Sequence, residues 1–565
     1  MTRAIYSFPG FHPFISSLKR PLGCRPSVQI FSHQRPYALN PDFGRKRSVP
    51  GPKMSISTDV KEEKLRRLLL DVAKYIDESK EIQETLELRF AGGWVRDKLL
   101  GISSHDIDTA INAMTGYAFS LKMKEYLDIP ENVSKHQIEK DDVGNLHKIA
   151  ANPEKSKHLE TVTTRIFGLD VDFVNLRKET YSEESRNPQM EFGTAEEDAL
   201  RRDATINALF YNIHTGEVED LVGGLVDMQA KLIRTPLEPY QTFMDDPLRV
   251  LRLIRFASRL DFSIDPTAET CMSEPSVLEA LKLKISRERV GVEVEKMLKG
   301  KNPRSALRLI DSLGLYSTIF TDPVKQLPAP SSQQWKASYD CLEELKNNQT
   351  PGSIYDSLVR SDDAKYLSWV LVALTPWSQV NGELPLKPGG RATLPYATIV
   401  AREGIKVNNK VGDVITGALR NYGQIIVLKD AILSNQDYIN ERGTIGMQIR
   451  KWDSQGGYWR LHALYALLVE AMQVTDRTGY EVLFQQWQKF IDHLHETLDV
   501  MDAPTMRPLI DGKILTKALG VKPGIWVRPA LDICLEWQLR NPGNADTEAP
   551  IKEVRARQDE LQIPL

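Results

Sequence analysis

The segment that most constrains the fold is a double glycine followed, thirteen residues later, by a pair of aspartates. Apolar residues ending at Ala91 predict a strand, Gly92 and Gly93 a turn, and the next seven residues a helix. Asp106 and Asp108 then open a second predicted strand, where side chains two residues apart share a face. This order predicts an α/β unit that presents two carboxylates side by side.

Two carboxylates held this close repel each other unless a cation lies between them. Mg²⁺ prefers oxygen ligands and is often held by one or two carboxylates together with substrate phosphates. Gly92 and Gly93 allow close approach of a phosphate, and Arg96 adds positive charge. Two aspartates at this spacing are also common at a solvated strand end, but the glycine turn favours a magnesium site at Asp106 and Asp108.

Asp172 is the best candidate for a third catalytic acid beside this pair. It lies in a strand-like run flanked by apolar residues, where an unpaired charge is costly. Two-metal sites often use such an acid to fix the ion near the attacking oxygen. The alternative is a strand-edge acid paired with an arginine.

A charged cluster precedes the apolar segment 206–211, for which the sequence predicts a strand. Arg201 and Arg202 suit phosphate or ribose oxygens, whereas Asp203 and Asn207 can orient the arginines or contact the sugar. A surface group of salt bridges is the alternative.

Asp246 and Arg249 flank a proline that marks a helix start, three residues apart. Cytosine and adenine present an amino donor beside an unprotonated ring nitrogen, which a carboxylate and a guanidinium complement. Uracil and guanine present the reverse order and leave desolvated groups unpaired. Arg252 and Arg255 continue along the helix and are expected to hold a triphosphate or orient the pair. A capped helix with intrahelical ion pairs is the alternative.

Charge and composition exclude several classes of protein. No apolar run approaches the 18 residues of a membrane-spanning helix, and the four cysteines are too far apart to suggest a disulfide framework or a cysteine zinc site. Residues 1–53 contain nine Lys or Arg and one acid, which predicts a disordered mitochondrial targeting leader. A basic tail that contacts nucleic acid is the alternative. Subtracting these residues from 73 basic and 76 acidic ones leaves residues 54–565 with a formal net charge of −11.

Together, these motifs closely resemble the CCA-adding tRNA nucleotidyltransferases of the bacterial and eukaryotic class, in the DNA polymerase β superfamily. The resemblance covers about residues 85–300, looks eukaryotic in type, and departs from the bacterial pattern at Asp245, where bacteria have Glu, and at Ala204, where they have a bulkier residue. The motifs that carry it are Gly92-Gly93-Trp94-Val95-Arg96-Asp97, Asp106-Ile107-Asp108, Arg201-Arg202-Asp203-Ala204-Thr205-Ile206-Asn207-Ala208, Asp245-Asp246-Pro247-Leu248-Arg249 and Ile285-Ser286-Arg287-Glu288-Arg289.

The resemblance implies an α+β fold: a polymerase-β-like nucleotidyltransferase head with a mixed β-sheet and helices, followed by an all-α neck, body and tail. The expected domains are the leader 1–53, the head 54–222, the neck 223–320 and the tRNA-binding body and tail 321–565. The expected activity is template-independent transfer of CMP twice and AMP once to tRNA by a two-metal mechanism.

By resemblance, the expected metal ligands are Asp106 and Asp108, and Gly93 and Arg96 would bind the triphosphate. Further nucleotide contacts are expected from Arg202, Asp246, Arg249, Arg252 and Arg255. The expected partners are tRNA, CTP and ATP, without a membrane or an obligatory protein partner. A full-length mitochondrial form and a cytoplasmic or nuclear form initiated at Met54 are expected.

Three other functions compete with this one. A bacterial-type poly(A) polymerase shares the head motifs but uses ATP repeatedly. A catalytically idle RNA-binding protein on the same scaffold is disfavoured by intact Asp106 and Asp108. A His-Asp phosphohydrolase has only His105-Asp106 in its support.

Overall fold

The computed structural model describes residues 56–144, 147–149, 161–182, 185–380, 382–385 and 393–564. The expected leader and Met54 lie outside these ranges. Among the helices described, none combines the length and the apolar character needed to cross a bilayer.

Thirteen strands and twenty-four α-helices follow in chain order within the described residues. The strands are β1 Leu88–Ala91, β2 Asp106–Ile111, β3 His147–Ile149, β4 Thr161–Ile166, β5 Leu169–Asn175, β6 Arg177–Ser182, β7 Ser185–Phe192, β8 Leu209–Asn212, β9 Glu217–Asp220, β10 Leu232–Ile233, β11 Ser263–Ile264, β12 Glu383–Pro385 and β13 Thr393–Pro395. The helices are α1 Val60–Ser79, α2 Gly93–Leu99, α3 Gly116–Leu127, α4 Pro130–His136, α5 Ala195–Leu200, α6 Gly224–Gln229, α7 Pro239–Asp245, α8 Leu248–Leu260, α9 Pro266–Met272, α10 Pro275–Lys284, α11 Arg287–Leu298, α12 Pro303–Ser312, α13 Tyr316–Ile319, α14 Trp335–Asn347, α15 Ile354–Leu358, α16 Asp362–Ala373, α17 Tyr396–Gly404, α18 Asn409–Leu433, α19 Arg442–Asp453, α20 Trp459–Ala471, α21 Arg477–Asp492, α22 Gly512–Leu519, α23 Val527–Arg540 and α24 Glu548–Ala556.

The head is built on a seven-stranded mixed sheet with the strand order β3-β4-β5-β2-β1-β8-β9. β2 and β5 run parallel, whereas the other neighbours in this sheet are antiparallel. The chain after β11 is predominantly helical. The predicted α+β class, with strands first and helices afterwards, is therefore confirmed.

Helix α1 forms because one of its faces is apolar and its first turn is capped. Leu65, Leu68 and Val72 recur at three- and four-residue steps and are fully buried. Asp59 accepts the backbone N–H of Glu62, and the Glu62 carboxylate accepts the N–H of Asp59 in return. This capping box fixes where the folded head begins.

One sequence prediction in the head is wrong in its detail. The expected strand 206–211 begins instead with a short 3-10 turn, Thr205–Asn207, and β8 starts only at Leu209. The turn carries the Asn207 side chain away from the ladder and into hydrogen bonds with Asp203 and Arg96. Side-chain bonding has overridden strand propensity there.

A continuous apolar core runs from the head into the helices, with members from Leu65 to Leu539. A second, separate cluster lies within residues 510–563 and includes Leu515, Trp526 and Val554. The C-terminal helices thus fold around a small core of their own.

Candidate active site

The two aspartates of β2 and the expected third acid on β5 lie on neighbouring parallel strands. The register places Asp108 opposite Asp172, and Asp106 opposite Asp170. Side chains two residues apart share a face, and Ile107 between the β2 aspartates is fully buried. The structure therefore places Asp106, Asp108 and Asp172 on one face, and it adds Asp170, which the sequence argument did not single out.

The carboxylates of this face raise one another's pKa values. Burial raises the pKa of Asp108 to about 6, with contributions from Asp106 and Asp172, while Arg202 acts in the opposite direction. Burial also raises the pKa of Asp106, and Asp172 and Asp170 add to the rise. Such mutual repulsion is what a bound cation would relieve.

The donor set fits a hard divalent cation held jointly with a substrate. Across the described ranges, no group of three or more His, Cys, Asp or Glu side chains is already gathered around one point where an ion could sit. Asp106 and Asp108 supply carboxylate oxygens, and phosphate oxygens can complete the coordination of such an ion. A metal shared between protein and nucleotide is consistent with both observations.

The glycine turn lies directly beside the aspartate pair. Gly92 has φ +68°, and a Cβ built there would lie 2.7 Å from Arg202 Nη1 and 3.7 Å from Asp108 Oδ2. A Cβ on Gly93 would lie 3.6 Å from Arg96 Nη2. The turn therefore needs glycine at position 92 for both conformation and space, and two arginines border it.

Arg96 is almost fully buried, with an exposed fraction of 3%. Its guanidinium forms an ion pair with Asp97 at 2.6 Å, donates to Asn207 Oδ1, and lies 5.7 Å from the ring centre of Phe256. Asp97 also accepts from Arg259 of α8 at 3.0 Å. These contacts fix Arg96 in place and tie the glycine turn to the first neck helix.

Arg201 and Arg202 are held by a carboxylate that the sequence argument missed. Asp198 is 1% exposed; one of its oxygens accepts from Arg201 and the other from Arg202, at 2.5–3.0 Å. Arg202 also donates to the Asn207 carbonyl and lies over Phe210. The signal was present in the sequence, because Asp198 stands three and four residues before the arginines on α5.

Asp203 and Asn207 connect the head to the neck. Asp203 accepts from Asn207 at 3.0 Å and from Arg252 of α8 at 2.5 Å. Burial would raise the pKa of the Asp203 carboxyl, but Arg252, Asn207 and Arg249 together hold it well below its ordinary value. Asp203 is thus a charged anchor, and Asn207 links it to Arg96.

The expected base-selecting residues lie where α7 ends and α8 begins. Asp246 follows α7; its Oδ1 accepts the Leu248 N–H at 3.2 Å, and its Oδ2 accepts from Arg289 of α11 at 3.1 Å. Arg249 donates to the Arg201 carbonyl at 2.7 Å. Both residues are therefore anchored to parts of the chain outside their own helix.

The two remaining arginines of α8 meet acids from distant segments. Arg255 donates to Glu293 of α11 at 2.6 Å and lies 4.4 Å from the ring centre of Phe256. Arg252, besides its bond to Asp203, lies 4.0 Å from Glu293. Side by side, these contacts place Arg252 nearer to the head and Arg255 nearer to the second neck helix.

Comparisons with known proteins follow the same division of the chain. The model described as the poly A polymerase head domain matches residues 88–234. The model described as a probable RNA and SrmB-binding site of polymerase A matches residues 261–325.

Two curated relatives cover most of this chain. Nucleotidyltransferase lcsQ of Purpureocillium lilacinum is 50% identical, over 90% of this chain and 94% of the relative. The mitochondrial CCA tRNA nucleotidyltransferase of Saccharomyces cerevisiae is 38% identical, over 82% of this chain and 87% of the relative. A solved CCA-adding enzyme in an apo form aligns with a TM-score of 0.60 at 19% identity, covering 88% of this chain and 96% of that one. The structural likeness supports a shared fold.

Proposed function

Since this chain belongs to the family of CCA tRNA nucleotidyltransferases, we propose that it adds the 3′-terminal C, C and A to tRNA from CTP and ATP. The observation that carries this proposal is the alignment of Asp108 with Asp172 beside Gly92, because it gives a nucleotidyl-transfer site next to a phosphate-sized turn. The reaction joins the tRNA 3′ oxygen to the α-phosphorus and releases pyrophosphate.

The triphosphate would lie over Gly92 and Gly93, between Arg96 and Arg202. Both guanidinium groups are fixed before the substrate arrives, so they can offset charge developing on the phosphate without rearranging. Asp203 and Asn207 hold this arrangement in register with the neck. This division of roles accounts for the buried ion pairs around the turn.

Nucleotidyltransferases of the DNA polymerase β superfamily use divalent metal ions, and we propose Mg²⁺ here. Asp106 and Asp108 would hold it, with Asp172 supporting the attacking side. When bound, the metal would lower the pKa of the 3′ hydroxyl and stabilise the leaving pyrophosphate. The protein's own contribution is to place three carboxylates on one face and to exclude competing ligands.

Selection of C and A is assigned to Asp246 and Arg249, with Arg252 and Arg255 as supports. The Asp246 carboxylate would accept from the exocyclic amino group, and Arg249 would donate to the ring nitrogen. A bound base must then meet groups already oriented by Arg289 and the Arg201 carbonyl. Uracil and guanine would leave both protein groups unpaired.

We also propose the domain limits and the location expected from the sequence. The division is a leader 1–53, a head 54–222, a neck 223–320 and a tRNA-binding body and tail 321–565. The yeast relative is named as mitochondrial, which supports a mitochondrial form of this protein. Initiation at Met54 would give a second form without the leader, for the cytoplasm or nucleus.

The test uses purified protein, Mg²⁺ and a tRNA transcript that lacks its last three nucleotides. Labelled CTP, ATP, UTP and GTP are supplied singly and together, and products are resolved to single nucleotides. Addition of two C and then one A, with U and G refused, is the expected result. A long A tract would identify a poly(A) polymerase, and tRNA binding without incorporation would identify an idle scaffold.

Two variants separate chemistry from folding in that assay. Asp108→Ala removes a carboxylate of the proposed metal site and should abolish incorporation while tRNA still binds. Asp128→Ala, at an exposed position after α3, removes the same charge from the same domain and should incorporate normally. Equal activity of the two variants would contradict the proposed catalytic role.

A further inference from the structure

A cavity of about 620 Å³ lies between the neck and the body, away from the residues assigned above. Its walls come from the end of α11 and from the beginnings of α12, α16 and α18. Five lysines line it, against three acids: Lys299, Lys301, Lys346, Lys365 and Lys410, against Glu295, Asp362 and Asp363. This positive surface stands out in a chain whose residues 54–565 carry a net negative charge.

The lysines of the cavity are paired only weakly. Lys365 pairs with Asp362 at 2.9 Å and Lys410 with Asp363 at 2.8 Å, but all four side chains are more than half exposed. Exposed pairs of this kind contribute between zero and about 1 kcal/mol. A phosphate group could therefore replace the carboxylates as the partner of these lysines at little cost.

Three helices begin at the rim of the cavity, and each has ten or more residues: α12 with 10, α16 with 12 and α18 with 25. A helix N-terminus carries partial positive charge, which favours anions within the first turn. The three ends therefore add to the field of the lysines. Asp362 and Asp363 reduce this effect at α16, so the lysines near α12 and α18 dominate.

A basic stripe on α11 connects this cavity to the base-selecting residues. Arg289, Val292, Lys296 and Lys299 follow one another at three- and four-residue steps, so they share one face of the helix. Arg289 contacts Asp246, and Lys299 lines the cavity. Ten residues of α-helix span about 15 Å, a distance that a few nucleotides of a strand can cover.

The positive surface extends further than one small anion requires. A neighbouring cavity of about 380 Å³ shares Asp362 and Lys365 with the first and adds Arg360. Together the α11 stripe and the two cavities form an extended track of cations. Its length favours a polyanion over a free phosphate or a nucleotide.

We propose that this track, the α11 stripe with the adjoining lysine cavity, binds the phosphate backbone of the tRNA substrate. The proposal rests on the proposed function, because it assigns a site to the same RNA whose end is extended. Lysines contact phosphates without regard to base sequence. The track would therefore hold the RNA in register with Asp246 whichever tRNA is bound.

The first experiment compares two triple variants of the full chain. The cavity variant is Lys299→Gln, Lys301→Gln and Lys365→Gln; the control is Lys451→Gln, Lys489→Gln and Lys552→Gln, at three exposed positions elsewhere. Binding of tRNA lacking CCA is measured from 50 to 200 mM salt. We expect the cavity variant to bind at least tenfold more weakly at the lower salt and to lose about two from the log–log salt slope. The KM for CTP at saturating tRNA should not change.

The wild-type protein separates the two possible failures. If it adds no CCA, the proposed function is wrong whatever the variants do. If it adds CCA and the cavity variant binds tRNA like the control variant, the track is wrong and the function stands.

A second experiment needs no variant. Lysines of the wild-type protein are acetylated with acetic anhydride in the presence of tRNA or of inorganic phosphate and are quantified by mass spectrometry. Protection of Lys299, Lys301 and Lys365 by tRNA alone is expected. Equal protection by inorganic phosphate would make the cavity a small-anion site and overturn the proposal.

Discussion

Replacing Asp198 by asparagine tests whether a buried carboxylate sets the arginines of the site without touching a substrate. Asp198 accepts four N–H groups from Arg201 and Arg202. Arg202 borders the glycine turn, and the Arg201 carbonyl holds Arg249. Asp198 is therefore a positioning residue for both the triphosphate and the base.

The size of the effect follows from the burial of all three side chains, none of which exceeds 17% exposure. Removing one member of a buried ion pair costs about 3–5 kcal/mol. Asparagine keeps one oxygen that can still accept from one arginine, so we expect about half of this loss, ~2 kcal/mol. If the loss falls on the transition state, kcat/KM for CTP decreases about 30-fold, since each factor of ten corresponds to about 1.4 kcal/mol.

The assay is incorporation of the first C into tRNA lacking CCA, with kcat and KM for CTP determined separately. Glu196→Gln is the matched control, because it removes the same charge from an exposed position on the same helix. The rise should fall mainly on KM, with circular dichroism unchanged. An Asp198→Asn enzyme with the kinetics of Glu196→Gln would refute the positioning argument.

Three further perturbations have defined outcomes. Gly92→Ala should lower single-turnover incorporation by about 5- to 100-fold, from about 1–3 kcal/mol of strain and the contact with Arg202; Gly101→Ala, at φ +69° with nothing within 4 Å of its Cβ, carries the strain alone and should retain activity. Asp246→Asn should reduce the preference for CTP over UTP by 10- to 100-fold or about 1–3 kcal/mol, because an amide both donates and accepts; unchanged discrimination in competition assays would place base selection elsewhere. Burial lowers the pKa of His462 to about 3, below its unfolded value of about 6.5, so the unfolded state binds more protons between these values and stability must fall with pH there. His462→Gln should remove up to about 1.4 kcal/mol per pH unit of this slope in urea unfolding, and parallel pH profiles for both proteins would contradict it.

The local sequence determines the parts of the site in which neighbouring residues act on each other. Asp106 and Asp108 share a face because strand side chains alternate, and Gly92 marks the turn because few other residues adopt its backbone. Both expectations needed only a few residues of context. The match of Asp108 with Asp172 required the family resemblance, since strand register depends on how distant segments pair.

The partners of the arginines could not be predicted from the sequence. Arg255 meets Glu293 across 38 residues, and Arg249 meets the Arg201 carbonyl across 48. The helical spacing of Asp246 and Arg249 indicated that they could lie together, but it could not show that Arg289 anchors the aspartate. Such contacts depend on how α8 and α11 pack, which no local pattern encodes.

These distant partners explain how a protein surface can select a base without a nucleic-acid template. A free arginine has several rotatable bonds and could turn to accommodate either order of donors and acceptors. In this site Arg96, Arg202, Arg252 and Arg255 each meet a carboxylate, from Asp97, Asp198, Asp203 and Glu293 respectively. Their orientation is thus fixed before binding, and the cost of ordering them is met during folding. A wrong base cannot improve its fit by moving one guanidinium, because that movement would also leave a buried carboxylate unpaired.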